Sequence, residues 1–372
     1  MRAYVFTDAT LARYAGRFVW LSVDIDNAAN AKFISKYQTP GVPTFFVIDP
    51  KAEAVTTRYV GGFTVASLKK FLDDNGSKET SPGDRFLLMA DRFATEGRHD
   101  AAAKEYEEAL ALLPKASLRY GRAAEGRVLS LQMSHANQAC VDDGMELAYK
   151  LAGTVSGANL ADMALDCESG LKPEERKAAT FAALEKMVRE NVTSTKLDLS
   201  GDDRSGYYIS LIGAHDAMKD EAGAHKLREE WSAFLEREAA KAKTPEERAV
   251  YDSHRLSADI DLGHPEKAIP MLEQSQKDFP DDYNPPARLS AAYRAMKKWD
   301  EAIAAAKRAI PKSQGPRRLT IYRGLADAYV GKGDKEAARA TLKEAITYAE
   351  ALPEGQRNAN TIASLKKKLE AV

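Results

Sequence analysis

The chain has 372 residues, 44% hydrophobic and 29% charged, with 54 basic against 55 acidic side chains and a formal net charge of −1. That length allows two or three domains, and that balance excludes global disorder and gives no electrostatic reason to expect nucleic acid or an anionic membrane as partner. Two cysteines exclude a disulfide-rich scaffold and a four-cysteine zinc site, and the longest strongly apolar stretch, residues 42–48, is far too short to span a bilayer.

Residues 1–26 contain no long apolar run ending in a small-residue cleavage site, so as written the chain carries no signal peptide and is expected in the cytoplasm. Phe18-Val19-Trp20-Leu21-Ser22-Val23 reads as a buried strand. Ala28 to Tyr37 is helical in pattern and stops before the breaker cluster Thr39-Pro40-Gly41. Thr44 to Ile48 and Ala54 to Val60 are predicted strands joined by a turn at Asp49–Ala52, with Gly61-Gly62 ending the second. Val65 to Asp73 gathers Leu68, Phe71 and Leu72 on one helical face. Asn75 to Gly83 is polar and reads as a linker.

From Asp84 onward the pattern is helical and rich in alanine. Four segments share one motif, a turn followed five residues later by a small residue: 97–114, 263–280, 297–310 and 333–346, with Ala102, Ala268, Ala302 and Ala338 in register. The intervals from Ala268 to Ala302 and on to Ala338 are 34 and 36 residues. A helix–turn–helix period of that size resembles the tetratricopeptide repeat. Phe86, Ala90, Phe93, Gly97, Ala102, Tyr106, Ala109 and Pro114 fall at that family's spacing. The middle, 115–250, is helical but degenerate, with 211–231 a candidate further repeat and 191–206 a predicted loop.

Residues 1–74 resemble the later two-thirds of the thioredoxin fold through Asp24-Ile25-Asp26, the tract Tyr37 to Thr44 and Tyr59-Val60-Gly61-Gly62. The resemblance implies a cis bond before Pro43 and a peptide-binding face of Val42, Pro43, Thr44 and Gly61. It also implies a Cys-x-x-Cys just ahead of the position matched by Met1, and a central strand between those matching 18–24 and 43–49. No Cys-x-x-Cys occurs in the sequence, so no catalytic residue is assigned and dithiol exchange, which needs an activated thiolate, is not expected of this chain. If Met1 is a misplaced internal start, the resemblance implies a thiol–disulfide oxidoreductase, periplasmic or secreted, of which this is a fragment.

The expected fold class is therefore an α/β thioredoxin-like part (1–76), a linker (77–84) and an all-α solenoid of tetratricopeptide-like repeats (85–372), clearest at 85–114, 250–280, 284–312 and 319–350. Cys140 and Cys167 lie in helical stretches 137–151 and 159–170, about equally far from a turn marked by Gly153 and Gly157. Two readings stand: a pair of buried small side chains, or a disulfide, which requires an oxidising compartment. No nucleotide loop, nucleophile elbow or H-E-x-x-H motif is present, and His215-Asp216 with His225 reads as solvated helix positions rather than a metal site. No cofactor is expected.

What remains is recognition of protein or peptide segments, without catalysis. The repeat register places Ser253, Ser257, Arg288, Arg294, Arg323 and Asp327 on the face made by the first helices of the repeats. Its three arginines suit peptide carboxylates, or are ordinary solvated positions.

Overall fold

The computed structural model describes residues 1, 3–39, 41–75 and 81–372. In chain order the elements are α1 (Ala31–Lys36), β1 (Thr44–Asp49), β2 (Ala54–Val60), α2 (Val65–Asp74), α3 (Pro82–Thr95), α4 (His99–Leu112), α5 (Leu118–Met133), α6 (Asn137–Lys150), α7 (Val155–Ser169), α8 (Ala178–Thr193) and α9 (Gly201–Ala217). There follow α10 (Glu221–Lys241), α11 (Pro245–Ala249), α12 (Asp252–Asp261), α13 (Ala268–Asp278), α14 (Asn284–Ala295), α15 (Trp299–Ala309), α16 (Gly315–Lys332), α17 (Lys335–Ala351) and α18 (Ala359–Ala371). The chain divides into two compact units, one of residues 1–18 and 38–231, the other of residues 19–37 and 232–372. The expected linker spans residues 77–84. Residues 77–80 of that stretch lie outside the described residues, and Pro82, Gly83 and Asp84 open α3 behind a Ser81–Asp84 capping box.

In the first unit β1 and β2 form an antiparallel hairpin, Thr44 opposite Val60 and Asp49 opposite Ala54. β-branched and aromatic residues fill both strands, and the Asp49 carboxylate accepts the Lys51 and Ala52 N–H groups to close the turn. Thr64 and Ser67 cap α2 reciprocally, and Leu68 and Leu72 join Val5, Tyr14 and Phe63 in a small core. The Arg58 N–H of β2 donates to Asp91 on α3 at 3.1 Å. Docking against a helix is one way to cover a strand edge.

The anticipated strand at Phe18–Val23 is absent. Residues 19–24 carry no regular structure, and Val19 and Leu21 are 90% and 78% exposed. The sheet among the described residues has two strands, so the expected mixed sheet is not observed. An apolar run becomes a strand only where a neighbouring ladder takes its N–H and C=O groups, and among the described residues the sheet consists of β1 and β2 alone.

The helical part is built from hairpins that share one turn. Gly97, His135, Lys219, Gly263, Lys297 and Gly333 all have positive φ, between 58° and 86°. In each, the residue that follows donates its N–H to the carbonyl five positions back, as in Arg98 to Phe93, Asp220 to His215 and Asp334 to Tyr329, each 2.9 Å. This is the Schellman ending of a helix. It joins α3 to α4, α5 to α6, α9 to α10, α12 to α13, α14 to α15 and α16 to α17. The aligned residues Ala102, Ala268, Ala302 and Ala338 are all fully buried, as close approach of paired helices requires.

The degenerate middle thus holds hairpins of the same kind. The loop predicted over 191–206 shrinks to the residues between α8 and α9, because Ser200 and Asp203 form a capping box that starts α9 at Gly201. Gly157 is not in the α6–α7 turn but inside α7, where Thr154 caps its N–H.

Candidate functional site

The first-helix face of the second unit is formed by α12, α14 and α16, and α14 packs against both of the others. Ser253 is half-buried and Ser257 exposed on α12. Arg288 on α14 is half-buried beside Asp252, and burial lowers its pKa while Asp252 and Asp282 work the other way. Arg294 lies 3.8 Å from Asp327 on α16, whose other oxygen takes Lys368 of α18. Arg323 is exposed. The structure therefore brings Arg294 and Asp327 together and leaves Ser257 and Arg323 at the surface. Asp327 is thus faced by a cation on each of its two oxygens.

Beneath it lies a fully buried pair missing from the sequence expectations. Ser275 Oγ donates to Asp252 at 2.6 Å, and burial raises the Asp252 pKa. The other oxygen of Asp252 is sealed from solvent and accepts no hydrogen bond.

In the first unit the residues expected to form a peptide-binding face gather at one end of the hairpin. The Val42–Pro43 bond is cis, Val42 is 62% exposed, and the Gly61 N–H donates to the Pro43 carbonyl at 3.0 Å. Gly61 also borders a cavity of about 230 Å³ between β2 and helices α5, α7 and α9. Arg58, Tyr59, Glu125, Asn159, Asp162 and Asp203 supply much of its polar wall. Asn159 Nδ2 donates to Glu125 at 3.3 Å, and Tyr207 donates to Asn159 Oδ1 at 2.7 Å. Burial raises the Glu125 pKa. Burial, and then the Asp166 carboxylate, push Asp162 up to about 8. Tyr106 seats its ring where α5 carries Gly126; a Cβ there would come within 2.4 Å of it.

None of these cavity groups stands out in the sequence. The available signal is a charged residue set directly after small ones in a helical stretch: Glu125 follows Ala123-Ala124, and Asp162 follows Ala161. His215, read from sequence as solvated, is 6% exposed and held between Glu185 at 3.0 Å and Asp220 at 2.8 Å. Neither it nor any other group of three or more His, Cys, Asp or Glu side chains among the described residues is arranged to hold a metal ion. Cys140 on α6 and Cys167 on α7 are bonded, their Cα atoms 6.1 Å apart. No described helix is long and apolar enough to cross a membrane.

Residues 284–351 match the tetratricopeptide-repeat family model. That span runs from α14 to α17 and contains the repeats predicted at 284–312 and 319–350; the chain carries tetratricopeptide repeats and is mostly helical. No curated protein matches the sequence. Among solved structures it is similar to the TPR2AB-domain:pHSP90 complex of yeast Sti1, at 16% identity and TM-score 0.30, covering 77% of this chain and 98% of that one. It is also similar to a thermophilic tetratricopeptide-repeat protein of Thermus thermophilus, at 15% identity and TM-score 0.26, covering 78% and 97%. A third is the APC/C hetero-tetramer Cut9–Hcn1, at 14% identity and TM-score 0.24, covering 82% of each chain.

Proposed function

We propose that this protein is a scaffold that binds acidic peptide segments on the α12–α14–α16 face of its repeats and performs no dithiol chemistry. The observation that carries the reading is the pairing of Asp327 with both Arg294 and Lys368, which leaves Arg323 exposed on a face whose α14 and α16 belong to the matched repeats. Guanidinium groups suit carboxylates because the planar fork donates two parallel N–H bonds. A thioredoxin-like reading of residues 1–74 draws on the antiparallel hairpin followed by α2 and lacks the strand expected at 18–23, and the reading without redox chemistry draws on the absence of a dithiol motif in the sequence. Both cysteines are held in one bridge between packed helices, which supports action in an oxidising compartment.

The test is fluorescence anisotropy with labelled peptides of about ten residues, a length that lies along several helical repeats. An Asp/Glu-rich peptide is expected to bind the full chain and to weaken steeply with salt; Arg323→Glu should lower its affinity at least tenfold, about 1.4 kcal/mol. Equal binding of acidic and neutral peptides, or an unchanged affinity in Arg323→Glu, would defeat the proposal.

A further inference from the structure

The cavity between β2 and helices α5, α7 and α9 is bordered by Arg58 and Asp162, each with one side-chain atom sealed from solvent and without a hydrogen-bond partner. Arg58 is 5% exposed, its Nε makes no hydrogen bond, and its guanidinium has no ion pair among the described residues. Asp91, which meets the Arg58 backbone, is already engaged. One Asp91 oxygen takes the Tyr106 hydroxyl at 2.7 Å, and the other takes Arg122 and the Arg58 backbone N–H. Around the same cavity Asp162 Oδ1 is sealed from solvent and has no partner. A guanidinium is always charged, and a buried charge without a counter-ion is costly. Arg58 and the orphaned Asp162 oxygen border one cavity, which leaves room for something that satisfies both; Asp162, protonated while the cavity is empty, would release its proton to solvent as a cationic group arrives.

We propose that this cavity binds a free α-amino acid, its carboxylate on Arg58 and its ammonium on Asp162 with help from Glu125. A molecule carrying only one charge would satisfy one orphan and leave the other. The cavity, about 230 Å³, suits a small or medium side chain, which would rest on Leu129, Val155 and Met163. This site lies wholly within the first unit and is independent of the repeat face on which peptide binding is proposed.

Calorimetry on the full chain tests it with glycine, L-alanine, L-valine and L-glutamine, beside isobutylamine, isobutyrate and the blocked peptide N-acetyl-valine amide. At least one amino acid is expected to bind with Kd of roughly 1 mM or tighter, and the singly charged and blocked analogues at least tenfold more weakly. Arg58→Met keeps the buried hydrocarbon stem, and Asp162→Asn keeps the shape; each should cost tenfold or more. Asp162→Asn removes a burdened carboxyl, so it remains a usable variant if Arg58→Met does not fold. The proposal fails if no amino acid binds, if the amine, the acid or the blocked peptide binds as well, or if Asp162→Asn binds like the parent chain.

Discussion

The carbonyl oxygen of Asp26 occupies the space where a side chain at Gly315 would start: a Cβ there would lie 2.2 Å from it. The Asp26 carboxylate in turn accepts the Arg317 N–H at 3.0 Å, so a residue almost three hundred positions away serves as acceptor for the first turn of α16. Gln314 donates to Asp24, and Gln356 donates to the Ile25 carbonyl at 2.8 Å, which holds the same segment.

Replacing Gly315 with alanine is therefore expected to do more than penalise a left-handed backbone with φ of 56°. It must also push the 24–26 segment off the helix, for a loss on the order of 2–3 kcal/mol. Gly333, with φ of 86° and open space around it, is the control: alanine there should cost about 1 kcal/mol. Urea midpoints of the two variants check the difference.

Asp26→Ala should cost about 1 kcal/mol through the lost helix-terminal acceptor, and Asp26→Asn much less, because the amide oxygen still accepts. Burial raises the Asp26 pKa, with the Arg317 N–H and charge opposing, so the asparagine variant also escapes an ionisation penalty. Thermal midpoints at pH 7 separate the two; equal losses would show that the hydrogen bond is not what matters.

The turns of the repeats give a third expectation. His135, Lys219 and Lys297 stand at the left-handed position that Gly97, Gly263 and Gly333 fill elsewhere. Glycine substitution at Lys219 or Lys297 relieves strain of about 1 kcal/mol and should raise the thermal midpoint by a few degrees. A lower midpoint would contradict the shared-turn account.

These same positions explain how far the sequence can be read. Four hairpins are visible because Gly97, Gly263 or Gly333 marks the turn, or because Lys297 is followed by a well-spaced Ala302. His135 and Lys219 conceal the identical turn, so the middle looks degenerate. Thr44–Ile48 and Ala54–Val60 are legible because each strand has its partner close by in sequence. Phe18–Val23 misleads, since composition reports only what a strand would bury and not whether a ladder exists beside it. The cavity is illegible: Arg58, Glu125 and Asp162 lie far apart in sequence, and nothing local distinguishes a buried carboxyl from a solvated one.

Asp162 yields a pH signature. Its folded pKa is raised to about 8 from 3.8, so between those values the unfolded chain gives up a proton that the folded chain keeps. This group therefore subtracts stability progressively as pH rises from about 4 to 8. Asp162→Asn should leave stability unchanged near pH 4 and increase it toward pH 8, as thermal midpoints across that range will report. A gain that is constant with pH would show that the carboxyl is ionised throughout.

The Cys140–Cys167 bridge closes a sequence separation of 27 residues. Loop-closure entropy assigns such a cross-link about 3.5 kcal/mol, so Cys140→Ala with Cys167→Ala should lower the denaturation midpoint accordingly. Unreduced parent protein should show no titratable thiol after denaturation; two would remove the basis for placing the protein in an oxidising compartment.

Residues 19–37 count with the repeats, although the sequence on either side of them belongs to the first unit. The polypeptide therefore changes unit three times, and no single cleavage point can release either one whole. A fragment beginning at residue 232 would start α16 without Asp26, and one ending at 231 would carry a segment torn from its seat. Dissection into halves, or inheritance of the repeats as a portable cassette, would deliver each piece with a wound that the intact chain does not have.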